Sequence, residues 1–189
     1  MNKETYLNPF ILTANNFKDD RGEFSPLVIK EQFPDFKIVQ ANTVVSNKPY
    51  TFRGMHWQEP PYAQAKLIRC LVGHIIDYVV DIRKDSPNFG KAYSFSLNDK
   101  NTWVYVPEGF AHAYLTLPHN LSSSYPTLVE YLINNDYNKE SERGMWMTKE
   151  VEDMVYQEIG NNQLVINERD LVWPSLDLIE TKFRYEIEK

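Results

Sequence analysis

The stretch AKLIRCLVGHIIDYVVDIR, residues 65–83, contains two apolar runs separated by Gly73. Runs rich in Leu, Ile and Val at this length are typical of buried strands, and a glycine between them indicates a turn. We therefore predict strands at 65–73 and 75–83. Five similar runs occur elsewhere, at 36–46, 91–97, 102–107, 111–117 and 127–133. Many short strands at close spacing predict a mostly β sandwich or barrel.

One helix is predicted at residues 149–159, near the C-terminus, and Gly160 can end it. Its apolar residues share one face at helical spacing: Val151, Met154, Val155 and Ile159. No repeat, low-complexity tract or linker divides the chain, so we expect residues 1–189 to form one domain. The predicted fold class is therefore mostly β with a few short helices.

Composition and charge restrict the function classes. The 189-residue chain has a net charge of −6 and no basic block, so we expect no nucleic-acid partner. A single cysteine, Cys70, excludes an intramolecular disulfide and fits a reducing compartment; within an apolar strand it should be buried and inert. No segment has the character of a signal peptide or a membrane span. We therefore expect a cytoplasmic protein without membrane contact.

Two motifs resemble the halves of the cupin signature, which is found in jelly-roll proteins that often hold a metal. PEGFAH ends in His112, and MHWQ contains His56. Where a metal-binding cupin has a second histidine and a glutamate, this chain has Gln58 and Lys66. Metal sites need neutral imidazoles and carboxylates, and an ammonium group repels a divalent cation. We therefore expect a cupin-like jelly roll with no metal and no cofactor.

His56 and Lys66 have two interpretations. Taken singly, His56 is better explained as a hydrogen-bonded core histidine and Lys66 as a strand residue whose ammonium reaches solvent. Taken together, at a motif whose metal ligands are replaced, they favour catalysis. A neutral imidazole can remove a proton from a carbon next to a carbonyl, and an ammonium can stabilise the enolate oxygen that develops. The pair therefore predicts proton-transfer chemistry.

An ordered set of segments resembles the dTDP-4-dehydrorhamnose 3,5-epimerase family. Each is weak alone, but the set is specific: DDRGEF (19–24), QAN (40–42), FRGMHWQ (52–58), AQAKLIRC (63–70), DYVVDIRKDSPNFG (77–90), VPEGFAH (106–112) and YLINNDYNKESERG (131–144). The resemblance implies a jelly-roll epimerase that inverts C5, C3 or both in a dTDP-linked 4-keto-6-deoxy-hexose. Such an enzyme would serve the biosynthesis of a deoxysugar such as dTDP-rhamnose.

The resemblance also implies catalytic roles. His56 matches the family's general base, and Lys66 matches the residue that holds the C4 carbonyl oxygen. Tyr131 matches a tyrosine acid that returns a proton from the opposite face, as inversion requires. Asp170 matches the carboxylate that partners the base, where it can set the imidazole tautomer and raise its basicity. Asp77 matches another acidic residue near it, although a solvated aspartate at a barrel rim is the alternative.

Substrate contacts carry over in the same way. Arg21 and Arg53 match arginines that hold the diphosphate, for which a planar guanidinium is suited, and Tyr137 matches an aromatic residue that stacks on the nucleobase. The resemblance further implies a homodimer in which the N-terminal segment around Arg21 and Phe24 completes the partner's site. The other matched binding positions are Gln40, Asn42, Gln58, His112, Glu142 and Arg169, the last in place of a lysine.

The chain departs from the family at three places. Pro26 replaces a glutamate, Leu132-Ile133-Asn134 replaces Lys-Thr-Thr, and residues 145–163 replace the usual Asp-Pro and Trp-Pro segments. These changes lie near the expected nucleotide and sugar ends of the site, so the reaction class stands and the identity of the sugar stays open. The alternatives are an enzyme that epimerises C3 alone or isomerises the ketone, a metal-dependent cupin dioxygenase, and a non-catalytic sugar-nucleotide-binding cupin.

Overall fold

Two five-stranded antiparallel sheets form the framework of the structure, a computed structural model that describes residues 7–26, 36–119 and 126–185. The sheets contain most of the described strands, and a short hairpin contains the other two. In chain order the strands are β1 (Phe10–Thr13), β2 (Phe17–Asp19), β3 (Gly22–Phe24), β4 (Gln40–Ser46), β5 (Phe52–Gln58), β6 (Lys66–Val72), β7 (His74–Asp81), β8 (Ala92–Leu97), β9 (Thr102–Val106), β10 (Phe110–Leu117), β11 (Thr127–Ile133) and β12 (Glu142–Gly144).

The two sheets pack face to face around a shared apolar core. The first sheet has the order β1-β9-β6-β11-β4, and the second has the order β12-β5-β10-β7-β8. Ile68 and Val129 of the first sheet meet Val79 and Phe110 of the second in this core, which also contains Cys70. Burial raises the pKa of the Cys70 thiol to about 11, so the predicted buried, unreactive cysteine is confirmed.

All seven predicted strands are present, and β11 has the predicted bounds. The strands that were not predicted are β1, β2, β3, β5 and β12. Four of these have only three or four residues, too few for a clear alternating pattern. In β5, Arg53 and His56 face a cavity between the sheets and interrupt the apolar run. β5 was therefore not predicted, because its cavity-facing residues are polar and do not give the apolar pattern of a buried strand.

A helix, α1, covers the outer face of the second sheet. It spans Lys149–Ile159, as predicted, and begins at Thr148, whose Oγ1 accepts a hydrogen bond from the backbone N–H of Val151. Val151, Val155 and Ile159 are buried against residues of β7 and β10. Gly160 ends the helix with a φ of 55°. Because α1 covers this sheet, its central strands are buried on both faces, which explains their near-continuous apolar sequence.

The helices of the described residues are short. After α1 come a one-turn helix, α2 (Glu168–Leu171), and a 3₁₀ turn at Leu176–Leu178. Within residues 7–26, 36–119 and 126–185, no helix is long and apolar enough to cross a membrane.

Candidate active site

A cavity of about 640 Å³ lies between the sheets and is closed on one side by the segment that follows α1. Each of these three parts of the chain contributes polar side chains to the lining. From the first sheet come Lys66 and Tyr131, from the second come Arg53, His56, His112 and Glu142, and from the later segment come Asn167, Arg169 and Asp170. Eight of these nine residues are predicted site residues, and Asn167 is the one that was not predicted.

His56 is held by a carboxylate from the C-terminal part of the chain. It lies on β5, and its Nε2 is 2.7 Å from Asp170 Oδ1. Burial is the largest single influence on Asp170 and would raise its pKa. The hydrogen bond and charge of His56, with smaller contributions from the Gly54 backbone N–H and Arg169, together keep the pKa below its usual value. Asp170 is therefore ionised at neutral pH, and we assign the proton of the neutral imidazole to Nε2. The Nδ1 atom is then the free base, as the predicted role of His56 requires.

Asp77, which was predicted to lie near the base and its carboxylate, bonds to a second histidine, His112. His112 is the direct cross-strand neighbour of His56, and His112 Nε2 is 2.7 Å from Asp77 Oδ2. Asp77 is fully buried on β7, so the alternative of a solvated rim aspartate is wrong. Burial raises the pKa of Asp77, and its Oδ1 atom has no hydrogen-bond partner within the described parts of the chain. The cavity therefore has two histidine–carboxylate pairs on neighbouring strands.

Lys66 faces these histidines from the other sheet. It is the first residue of β6, pairs with Val106 and Ile133, and lines the cavity. Burial lowers the pKa of Lys66 to about 8, although the negative charges of Asp77 and Glu142 oppose the shift. No carboxylate lies within 4.0 Å of its ammonium among the residues that the structure describes. At neutral pH this lysine is mostly charged and free to bind an anionic oxygen.

Tyr131 also enters the cavity from the first sheet. It lies on β11 between Asn42 of β4 and Ile68 of β6. Burial raises the pKa of its phenol, while the positive charge of Arg53 acts in the opposite direction. The hydroxyl is therefore protonated at neutral pH and can act as an acid. Because His56 and Tyr131 belong to opposing sheets, a molecule between them is reached from two sides.

Charged groups surround one end of the cavity. Arg53 has no carboxylate within 4.0 Å in the described residues, and its Nε donates only a long hydrogen bond, 3.2 Å, to Ser46 Oγ. Glu142 accepts hydrogen bonds from both terminal nitrogens of Arg169, each at 3.3 Å, and from the Tyr137 hydroxyl at 3.1 Å. The Nη2 atom of Arg53 also donates a long hydrogen bond, 3.4 Å, to the backbone oxygen of Val45. A guanidinium with such weak contacts and no carboxylate partner is suited to bind a phosphate group.

Gln58 does not line the cavity. Its amide nitrogen donates to the backbone oxygens of Tyr62, at 2.7 Å, and Asp136, at 3.0 Å, and its Oε1 accepts from the backbone N–H of Asn138 at 2.7 Å. These bonds occupy the buried amide, so Gln58 holds the 136–138 segment against β5. This backbone role differs from the substrate contact that was predicted for it.

Five other predicted contacts lie outside the cavity lining of this single chain. Arg21 and Phe24 are exposed on the β2–β3 hairpin, where the Arg21 guanidinium bonds to Asp19. Gln40 donates a hydrogen bond to Asn42 on the edge strand β4. Tyr137 is 55% exposed beside Glu142. Their predicted roles toward substrate stay predictions.

Several lining residues were missed by the sequence analysis. Tyr114 lies two positions after His112 on the same strand, so the period of two could have identified it. Val165 and Ile166 carry no motif, and Val165 reaches the cavity by pairing with Thr51. In the described parts of the chain, no three His, Cys, Asp or Glu side chains converge to hold a metal ion. The absence of a metal from the working enzyme stays a prediction.

The sequence is similar to those of known proteins of one enzyme family. A profile described as dTDP-4-dehydrorhamnose 3,5-epimerase matches residues 5–177. The chain is 39% identical over 142 residues to the dTDP-4-dehydrorhamnose 3,5-epimerase of Shigella flexneri, an alignment that covers 71% of this chain and 75% of the relative.

Solved structures are similar over almost the whole chain. The epimerase from Legionella pneumophila Philadelphia 1, in complex with dTDP-4-keto-L-rhamnose, has a TM-score of 0.81 at 26% identity and covers 95% of this chain and 94% of its own. A 3′-monoepimerase from Streptomyces bikiniensis, in complex with dTDP-quinovose, has a TM-score of 0.77 at 26% identity, with coverages of 90% and 84%. The predicted mostly β, jelly-roll-like fold class and the predicted family are both confirmed. The chain belongs to the dTDP-4-dehydrorhamnose 3,5-epimerase family.

Proposed function

We propose that this chain is an isomerase that epimerises C3 and C5 of a dTDP-linked 4-keto-6-deoxy-hexose, in a pathway that makes a dTDP-rhamnose-like deoxysugar. The observation that carries the proposal is the opposition of a base and an acid across one cavity. His56, with Asp170 behind it, lies on the second sheet, and Tyr131 lies on the first. Inversion at carbon needs a proton removed on one face and returned on the other.

The proton transfer uses three side chains. His56 Nδ1 removes the proton from the carbon next to the C4 ketone, and the electron pair of that C–H bond moves to give an enolate with its negative charge on the C4 oxygen. The Lys66 ammonium, which is buried in the cavity wall, stabilises this oxygen. Tyr131 then donates its phenolic proton to the opposite face of the same carbon. Exchange with solvent returns the imidazole and the phenol to their starting protonation states.

The nucleotide end of the substrate is the proposed partner of the arginines. Arg53 has no carboxylate partner among the described residues and would bind the diphosphate, while Arg169 would exchange part of its contact with Glu142 for a phosphate oxygen. A dTDP-linked substrate is supported by the Legionella and Streptomyces relatives, whose structures contain dTDP-sugars. The proposal therefore assigns proton transfer to His56, Lys66 and Tyr131, and diphosphate binding to Arg53 and Arg169.

A homodimer is part of the proposal. The edge strand β4 and the residues before it expose Ile38, Val39 and Val45, and the β2–β3 hairpin exposes Phe17 and Phe24. An apolar sheet edge of this kind is commonly covered by another chain. In such a dimer the hairpin would carry Arg21 and Phe24 to the partner's cavity. Sedimentation as a monomer at working concentration would contradict this.

The single domain spanning residues 1–189 is supported by the cavity, which takes residues from both sheets and from the C-terminal segment. The cytoplasmic location stays a prediction from the sequence.

A second candidate is epimerisation at C3 alone, or isomerisation of the ketone, in a related sugar nucleotide. It is favoured by the similarity to the Streptomyces 3′-monoepimerase. The same base, acid and ammonium would serve one proton transfer or two, so these residues do not separate the two reactions.

Deuterium incorporation tests both candidates. The purified protein is incubated in D₂O with dTDP- and UDP-linked 4-keto-6-deoxyglucose, and proton NMR follows the signals at C3 and C5. Loss of both signals supports the 3,5-epimerase, and loss at C3 alone supports the second candidate. If dTDP binds but neither carbon exchanges on any substrate, the enzymatic proposal is wrong and a binding protein is the better description.

A further inference from the structure

His56 has two cross-strand neighbours, His112 on β10 and Gly144 on β12, and the space beside the glycine is filled by the side chain of Trp173. In the pairing of β12 with β5, Gly144 is directly opposite His56. A Cβ atom at Gly144 would lie 2.5 Å from Cε2 of Trp173 and 2.6 Å from its Cδ2 and Nε1. Cross-strand neighbours normally pack side chain against side chain. Trp173 therefore occupies the position that a side chain at residue 144 would fill.

The Trp173 ring contacts the imidazole of His56. The ring centroids are 6.3 Å apart and the planes are inclined by 71°, an edge-to-face arrangement. The indole Nε1 atom is buried and has no hydrogen-bond partner among the described residues. Packing against Gly144 and His56, and not a hydrogen bond of its own, therefore determines where this ring lies.

Trp173 and Asp170 belong to one short segment that holds His56 from two sides. Asp170 lies in α2 and bonds to Nε2 of the imidazole, and Trp173 follows three residues later. The backbone carbonyl of Pro174 accepts a 2.8 Å hydrogen bond from the N–H of Trp146, which joins this segment to the chain just after β12. The segment is thus attached to the sheet next to the histidine that it contacts.

We propose that Trp173 is a positioning residue for His56: it holds the imidazole plane in place and keeps water away from the His56–Asp170 hydrogen bond. The proposal rests on the proposed function of His56 as the base. A hydrogen bond to an ionised group is stronger where water is excluded. Trp173 is not part of the cavity lining, so it acts through His56 and not by touching substrate. Its effect therefore belongs to the proton-transfer step and not to substrate binding.

Kinetics of two substitutions separate this role from general stabilisation. In Trp173→Ala we expect kcat for C–H exchange to fall roughly tenfold or more, because a displaced base loses its near-attack geometry, with KM within about twofold of the wild type. Trp173→Phe keeps an aromatic edge and should recover most of kcat. The matched control is Val172→Ala, since Val172 is adjacent in sequence and 80% exposed. Unchanged kcat in Trp173→Ala, or a rise in KM alone, would overturn the proposal.

Gly144→Ala tests the packing without removing the tryptophan. The new methyl group would displace the indole, so kcat should fall about as far as in Trp173→Ala. In the Trp173→Ala variant the space beside residue 144 is empty, so adding Gly144→Ala should lower kcat little further. The two substitutions would then be strongly non-additive in a double-mutant cycle. Equal losses in both backgrounds, or no loss in either, would contradict the coupling of Gly144 with Trp173.

A measurement that needs no turnover keeps this inference separate from the proposed function. Proton NMR can follow the His56 Nε2–H signal, identified by its loss in His56→Asn. We expect its exchange with water to be about tenfold faster or more in Trp173→Ala than in the wild type or in Val172→Ala, because water would reach the bond. An unchanged exchange rate rejects the proposal. If the wild type shows this protected signal but no exchange of substrate protons, only the proposed function fails.

Discussion

Two histidine–carboxylate pairs lie in one cavity, with the same bond length and different surroundings. His56 bonds to Asp170 and His112 to Asp77, each at 2.7 Å. The pKa of Asp170 is lowered, since its contacts with His56, Gly54 and Arg169 together outweigh burial, whereas burial raises the pKa of Asp77. Equal geometry therefore does not mean equal chemistry.

The opposite pKa shifts of the two carboxyl groups indicate which histidine is better suited to act as a base. Asp170 is ionised and can stabilise the positive charge that forms when His56 accepts a proton. Asp77 lies at the centre of a strand, fully buried, with one oxygen unpaired among the described residues. A carboxyl group whose pKa is raised gives less support to a developing positive charge. We therefore propose that His56 removes the proton and that His112 has a hydrogen-bonding role.

The largest expected effect separates the two histidines directly. His56→Ala should lower the rate of solvent deuterium incorporation by roughly 10²–10⁴-fold, because the general base is lost. His112→Ala should lower it by only about tenfold, the cost of one hydrogen bond to substrate or cavity. The measurement is exchange at C3 and C5 by NMR at saturating substrate. Equal losses for the two variants would remove the distinction between the pairs.

The two carboxylates provide the next test. Asp170→Asn should reduce kcat by on the order of 10²-fold, because a neutral amide neither stabilises the imidazolium nor enforces the productive tautomer. Asp77→Asn should reduce kcat by less than about tenfold, because an amide oxygen can still accept the bond from His112. Thermal unfolding of both variants serves as the control for folding. A larger loss in Asp77→Asn would reverse the assignment.

The smallest effect near neutral pH comes from the titration of Lys66, which lines the same cavity as both histidines. Half of its ammonium is lost at about pH 8, and the loss of activity becomes large only above that pH. Burial lowers its pKa to about 8, so the ammonium is present below that pH and is lost above it. With the enolate less stabilised, kcat should fall about tenfold per pH unit on the alkaline side. Lys66→Arg keeps the charge and should remove this decline up to pH 10. An identical alkaline decline in Lys66→Met would show that another group titrates.

Pattern analysis was most successful where sequence neighbours share an environment. Apolar runs predicted the seven strands, and α1 has its predicted bounds because helix spacing places Val151, Val155 and Ile159 on one buried face. His56 and Lys66 could be selected because they lie within a recognisable motif. β5 was missed, since residues that face a polar cavity do not show the apolar pattern of a strand.

Long-range partnerships could not be predicted from the residues alone. The motif indicates a base at His56, but Asp170 lies 114 positions later in the sequence, and only the family resemblance, not a local pattern, indicated that the two meet. Asp77 was expected near the base and bonds to His112, because the register of β7 and β10 places Asp77 opposite Tyr114 and makes it a diagonal neighbour of His112 on the same face. Gln58 lies within the best motif, yet its amide is used by backbone groups.

Residue types and their spacing were enough to predict the mostly β fold class, the family and the chemically useful side chains, because both are local properties of the chain. The tertiary structure adds that Asp77 bonds to His112, that burial lowers the pKa of Lys66 to about 8, and that Trp173 fills the place left by Gly144. These depend on distance and on exclusion from water, and both arise only when the sheets and the C-terminal segment pack together.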